Sequence, residues 1–261
     1  MLRTRIITAL ILAPLAVAGI FLLPSNAFAV VFWCAAALGA WEWAGLMGLR
    51  HPAARGAWVA LYGASAFWLY ARPDLYGVVL YGGWVVWGTA LIAVLSYPRG
   101  AWMFRNPVSL GLLGFVIMLG AWLSLVVIQQ REDGPLWLLW LFLLVWGADI
   151  GAYFAGRAFG RHKLAPQVSP GKTWEGVLGG ISLAGVACGG ILLAWQPGPE
   201  AMLLGMFALI FVSVVGDLLV SVAKRATGVK DTGTLLPGHG GVMDRIDSIV
   251  AVLPFLAVVL L

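Results

Sequence analysis

Long, uninterrupted apolar runs constrain this chain more than any motif in it. A stretch such as "LGLLGFVIMLGAWLSLVVI" (110–128) carries no charge and shows no alternation of apolar and polar residues. A bilayer core about 30 Å thick is crossed by about 20 apolar residues in a helix, and only helices or closed barrels satisfy their backbone groups in lipid. Without alternation a barrel is excluded. Hydrophobic residues make up 62% of the 261 positions and charged ones 10%, outside the balance of soluble domains. The chain therefore reads as all-α, a polytopic integral membrane helical bundle forming one membrane domain over residues 1–261.

Nine spans are expected, at about 5–23, 27–47, 56–71, 75–97, 107–128, 135–155, 174–195, 200–223 and 245–261. The third is the weakest, diluted by Gly63, Ser65 and two tyrosines. Short cytoplasmic loops retain lysine and arginine. With a cytoplasmic N-terminus the inner side receives Arg3, Arg5, Arg50, Arg55, Arg99, Arg105, Arg157, Arg161, Lys163, Lys172, Lys224, Arg225, Lys230 and Arg245, and the outer side only Arg72 and Arg131. Dropping one span before residue 72 scatters these charges over both faces, so the partition supports the odd count and the orientation together. The formal net charge of +5 reflects topology first. "SNAFAV" (Ser25 to Val30) resembles a secretory cleavage site, but the preceding apolar run is long for a signal peptide, and the first span is expected to be retained. Cys34 and Cys188 both fall in spans, where a thiol is expected to be a small buried apolar group, with neither a disulfide nor a zinc site.

Charge is scarce except in "KRATGVKDTGTLLPGHGGVMDRID" (Lys224 to Asp247) and its surroundings. Asp217, Ser221 and Lys224 fall at i, i+4 and i+7, one face of a helix, with Ser213 a turn earlier. An ionised aspartate inside a span is costly unless paired, hydrated or bound to a cation, so such acids usually mark function. The plain structural alternative is an ion pair between Asp217 and Lys224. Asp244 and Asp247 stand one turn apart with Arg245 between them, and with Asp217 they resemble the carboxylates that hold magnesium together with water and substrate phosphates. Asp244 could equally cap the last helix.

Between these acids, Gly233, Gly238, Gly240 and Gly241 surround Pro237 and His239. Clustered glycines let successive amides converge on an anion, with Lys230 and His239 as side-chain donors and Asp231 beside them. No Walker pattern occurs. A second loop, "GRAFGRHKLAPQVSPGKTWEG" (Gly156 to Gly176), sets Lys172 beside Thr173 and Glu175 at a helix start, a phosphate seat or simply a helix cap by Ser169 or Thr173. Arg157, Arg161, His162 and Lys163 add positive charge suited to anionic lipid or to topology alone. Asp149, with Tyr153 a turn on, could face the same cavity. The N-terminal helices, 1–130, are poor in motifs, with Glu42 in "WEWAGL" as the exception: it either pairs within the bundle or sits near the inner water interface. Carboxylates for a divalent cation, lysines and glycines for phosphate, and a membrane setting together suggest phosphoryl or nucleotidyl transfer onto a lipid. No Ser/His/Asp order or Cys/His pair argues for acyl transfer.

The string "SVAKRATGVKDTGTLLPGHGGVMDRID" (Ser221 to Asp247) closely resembles the signature of the bacterial phosphatidate cytidylyltransferases, also called CDP-diacylglycerol synthases. "GADIGAYFAGRAFGRHKLAPQVSPGKTWEG" (Gly147 to Gly176) and "GDLLVSVAKR" extend the resemblance over about residues 147–248, the catalytic signature region. Thr232 departs from the serine that many members carry and keeps the hydroxyl. The resemblance implies CTP and phosphatidate as substrates, CDP-diacylglycerol and pyrophosphate as products, and Mg2+ as cofactor. It implies Asp217 and Asp244 as metal-binding acids, with Asp149 and Asp247 as further candidates. Ser221, Lys224, Lys230 and His239 would stand near the nucleotide phosphates, Asp231 is a further catalytic candidate, and Lys172, Thr173, Arg225, Gly238, Gly240, Gly241 and Arg245 would help bind the nucleotide. It also implies a multi-pass protein of the bacterial cytoplasmic (inner) membrane with its site toward the cytoplasm. No nucleic acid is expected as a partner. A homodimer is one option, since Gly176, Gly179 and Gly180 permit close helix packing. Two rival readings are a CTP-dependent lipid kinase and, from a different class, an ion-coupled transporter.

Overall fold

The computed structural model describes residues 2–235 and 240–261, with side chains from residue 10 onward; Gly238 and His239 lie outside the described residues. In chain order its helices are α1 (Leu2–Leu22), α2 (Ser25–Leu46), α3 (Pro52–Tyr70), α4 (Tyr76–Leu95), the single turn α5 (Trp102–Arg105), α6 (Pro107–Gln129), α7 (Gly134–Phe159), α8 (Trp174–Trp195), α9 (Glu200–Ala226) and α10 (Met243–Leu260). Every expected span coincides with a helix. Among the described residues, six helices are long and apolar enough to cross a membrane: α2, α4 with the turn before it, α6, α7, α8 and α9.

The boundaries differ from expectation for local reasons. The third helix begins at Pro52, four residues early, because His51 Nδ1 accepts the amide of Ala53 at 3.2 Å and Pro52 enters with its φ already helical. The ninth helix runs past 223 to Ala226, so Lys224 and Arg225 occupy its last turn, where cations oppose the negative end of the helix dipole. One loop is not a loop: β1 (Lys163–Ala165) and β2 (Ser169–Thr173) pair antiparallel as a short hairpin, with Lys163 opposite Thr173 and Ala165 opposite Ser169. Val168 in its turn is buried, which gives the hairpin an apolar foothold on the bundle.

Helix α6 lies at the centre, packed by α2, α4 and α10. Indole donors fasten α2 to it, Trp43 Nε1 to the Leu110 carbonyl at 2.8 Å, while Trp122 Nε1 of α6 reaches back to the Ala29 carbonyl at 2.9 Å. Helices α7 and α8 form the most extensive pair. Their seam is built of small residues: a Cβ added at Gly180 would stand 2.6 Å from the Ala148 carbonyl oxygen, and one at Gly151 2.5 Å from that of Gly179. The α8 glycines that permit close packing are used within this chain, against α7. Cys188 is buried as expected, whereas Cys34 is exposed on the outer surface of α2.

Candidate active site

The polar residues converge where the C-terminal ends of α2, α7 and α9 meet the N-terminal ends of α8 and α10. Antiparallel neighbours present opposite ends on one side, so residues scattered between 42 and 247 reach one place. Helices α9 and α10 approach closely there, because Gly216 has no side chain: an added Cβ would lie 2.7 Å from the Asp247 carbonyl oxygen. That approach sets the α9 face carrying Asp217, Ser221 and Lys224 against the α10 turn carrying Asp244 and Asp247.

The ion pairs run between elements. Lys224 Nζ lies 2.6 Å from Asp244 Oδ1, and Lys172 Nζ, from the hairpin, lies 2.7 Å from Asp217 Oδ2. The alternative pairing of Asp217 with Lys224 along α9 is therefore replaced by two cross-element pairs. Ser221 Oγ donates to Asp217 Oδ1 at 3.2 Å, as its helical spacing requires. Asp149 lies within electrostatic reach of Lys172, Asp217 and Arg245, and Asp247 within reach of Asp217, Lys172 and Asp149. Asp247 is buried and accepts the Ser248 amide at 2.7 Å. Three acids thus share one lysine on this side of the site.

Asp244 does not cap α10. The cap position is Val242, whose side chain has no acceptor to offer, and Asp244 sits in the first turn. Its Oδ2 accepts the amides of Thr232 and Gly241 at 2.9 and 3.0 Å and stands 3.0 Å from the Thr232 hydroxyl. The capping falls to Glu42 at the far end of α2, which accepts the amides of Val242 and Met243 at 2.9 Å each and stands 3.0 Å from the same Thr232 hydroxyl. Of the two alternatives for Glu42, pairing within the bundle is the one observed. The amide of Gly241, expected to face a phosphate, is turned toward Asp244. Gly240 takes φ +81, a conformation that favours glycine.

The second loop divides its candidates. Thr173 caps α8, its Oγ1 accepting the Gly176 amide at 3.1 Å, and is buried. Glu175 does not complete a capping box; it accepts the amides of Arg161 and His162 and meets His162 Nδ1 at 2.6 Å, closing the hairpin onto α8. Arg225 Nε donates to the Val168 carbonyl at 3.3 Å, tying the end of α9 to the hairpin turn. Arg157 leans on Tyr153 at 3.3 Å. Lys230, Asp231 and Arg245 are exposed beside the site. Two residues gain roles that spacing did not assign. Thr232 bridges two carboxylates, and Glu42 organises a helix two hundred residues away; the only sequence signal for Glu42 was an acid stranded in an apolar run.

Chemically, the arrangement offers hard carboxylate oxygens, ion-paired ammonium groups and further basic side chains at one end of a bundle, a setting for a polyanionic substrate. The chain matches the Cytidylyltransferase family over residues 3–261. It is 47% identical over 265 residues to a protein of Pseudomonas aeruginosa named phosphatidate cytidylyltransferase, covering 100% of this chain and 97% of that one. A Haemophilus influenzae protein of the same name is 37% identical over 279 residues, covering 98% and 97% of the two chains. A Bacillus subtilis protein of that name is 34% identical over 206 residues, covering 75% and 76%.

Proposed function

The chain belongs to the Cytidylyltransferase family, and from that premise we propose how its residues perform the reaction for which its relatives are named. The protein is a phosphatidate cytidylyltransferase: it moves the cytidylyl group of CTP onto phosphatidate, yielding CDP-diacylglycerol and pyrophosphate. The observation that carries this function is similarity along the whole chain to proteins bearing that name.

Phosphatidate is a phosphate monoester with a second pKa of about 6, so at neutral pH it is already a nucleophilic anion and needs no dedicated base. Its oxygen attacks the α-phosphorus of CTP. One P–O bond forms there while the bond from the α-phosphorus to the pyrophosphate oxygen breaks, and pyrophosphate leaves with that electron pair. The obstacle is negative charge on both partners. Lys172 and Lys224 each face a carboxylate at 2.7 and 2.6 Å, so neither pair carries net charge. Contact with phosphate oxygens draws these ammonium groups, with Lys230, toward the substrate and offsets charge on the transition state and leaving group.

Magnesium supplies Lewis-acid stabilisation of phosphate charge when bound. Asp217 and Asp244 would hold it, and the donor chemistry fits, since both offer hard oxygens that already face a cation. Among the described residues no three His, Cys, Asp or Glu side chains gather as a complete metal cage. Magnesium usually takes one or two carboxylates and completes its shell with water and substrate phosphates. The membrane arrangement belongs to the same reading: nine crossings, a cytoplasmic N-terminus and a site open to cytoplasmic CTP in a bacterial inner membrane, supported by the placement of all lysines and arginines except Arg72 and Arg131 on one side.

The test is purified protein with phosphatidate, magnesium and CTP labelled in the cytosine ring. Label passing into lipid with one pyrophosphate released per lipid is the expected result, and label remaining in soluble CDP would convert the reading to a lipid kinase. In the same assay Asp217→Asn and Asp244→Asn are each expected to lower turnover about a hundredfold or more at matched protein levels. Near-normal turnover in both removes them from the site.

A further inference from the structure

The motif-poor N-terminal half contributes one acid to this region. Glu42 is 2% exposed, near the end of α2. A carboxylate has acceptors only, and burying one is tolerated where donors meet it. Here they are the amides of Val242 and Met243 and the hydroxyl of Thr232, all within 3.0 Å. A helix start leaves its first amides without intrahelical partners, and α10 has no capping side chain of its own. Glu42 therefore does from another helix what an N-cap residue does locally.

Two further observations show that the surroundings are built for this carboxylate. A Cβ at Gly233 or at Gly241 would stand 2.7 or 2.8 Å from Glu42 Cδ, so the loop can close on the acid only where side chains are missing. The neighbouring Trp43 is fastened to α6 by its indole, which anchors the end of α2 beside Glu42. The Thr232 hydroxyl has one proton and stands 3.0 Å from both Glu42 Oε2 and Asp244 Oδ2. Asp244 in turn holds Lys224.

We propose that Glu42 is a positioning residue for the nucleotidyl transfer, holding the start of α10 and the Thr232 hydroxyl so that Asp244 and Lys224 keep their places. Its activity readout rests on the cytidylyltransferase reading; its contact with α10 does not. Glu42→Gln keeps the volume but turns an NH2 group toward backbone N–H donors. With this variant, turnover is expected to fall about tenfold to a hundredfold while KM for phosphatidate stays within about twofold. Amide exchange at 240–243 is expected to quicken about tenfold with α6 unaffected. Thr232→Val should reproduce both effects, and Thr232→Ser should keep turnover within about twofold of the parent.

Turnover within about twofold of the parent at equal folded protein overturns the proposal. So does unchanged exchange at 240–243, or exchange that quickens across the whole protein while turnover merely follows the folded fraction. If Glu42→Gln does not accumulate in folded form, Thr232→Val decides by the same two measurements. A parent protein that makes no CDP-lipid refutes the functional reading instead, and the exchange measurement still decides whether Glu42 holds α10.

Discussion

Lys224 and Lys172 make the same kind of bond in different surroundings, and the difference has measurable consequences. The Lys224 and Asp244 side chains are 14% and 4% exposed, against 24% and 32% for Lys172 and Asp217. Removing one partner of a buried pair leaves an uncompensated charge and costs about 3–5 kcal/mol, whereas a solvent-screened pair contributes about 1 kcal/mol or less. Lys224→Met is therefore expected to lower the thermal midpoint in detergent at any salt concentration, whereas Lys172→Met, which leaves Asp149, Asp217 and Asp247 without the lysine they share, is expected to do so mainly at low salt. The same salt dependence for both variants would mean that water reaches Asp244 as freely as Asp217. The helical spacing of Asp217, Ser221 and Lys224 was legible because i and i+4 share a face whatever the helix packs against. Their partners were not, since no spacing rule relates Lys172 to Asp217 or Lys224 to Asp244.

At the scale of elements, glycine decides how near two helices come. The seam of α7 and α8 sets backbone against backbone at Gly180 and Ala148, where a carbonyl cannot yield as a flexible side chain can. This closeness holds the hairpin end, and with it Lys172, over Asp217. Overpacking of this kind costs about 1–3 kcal/mol for small additions and more where backbone must move. Gly180→Leu is thus expected to reduce folded protein, read as loss of the monodisperse peak in detergent, while Gly190→Leu, where an added Cβ meets nothing within 4 Å, leaves it intact. The reverse order would place the limiting packing elsewhere. Helix existence was legible from hydropathy. The β1–β2 hairpin was not, since "KLA" and "SPGKT" have neither the length nor the alternation of a strand, and the pairing depends on Val168 finding the bundle.

For the whole molecule, a cytoplasmic N-terminus puts Arg131 and Lys163 on opposite sides of the membrane. In a background of Cys34→Ala and Cys188→Ala, a membrane-impermeant maleimide added to intact spheroplasts is expected to label Arg131→Cys but to label Lys163→Cys only after lysis. Labelling of both before lysis, or the opposite pattern, would overturn the orientation. The sequence by itself determined the class of the protein, the approximate position of each long helix and the family, and it named the candidate residues whose neighbours only the fold could assign. Hydrophobic length, helical periodicity and charge asymmetry are local properties of a chain in a membrane, and a contiguous motif is local too. Tertiary structure alone decided that Asp244 caps a loop and not its own helix, that the Gly241 amide turns onto the protein's own Asp244, and that Glu42 closes α10 from across the bundle. Such choices depend on which donor meets which acceptor when antiparallel helices bring distant ends together. A buried carboxylate takes the nearest unsatisfied N–H in space, wherever that group lies in the chain.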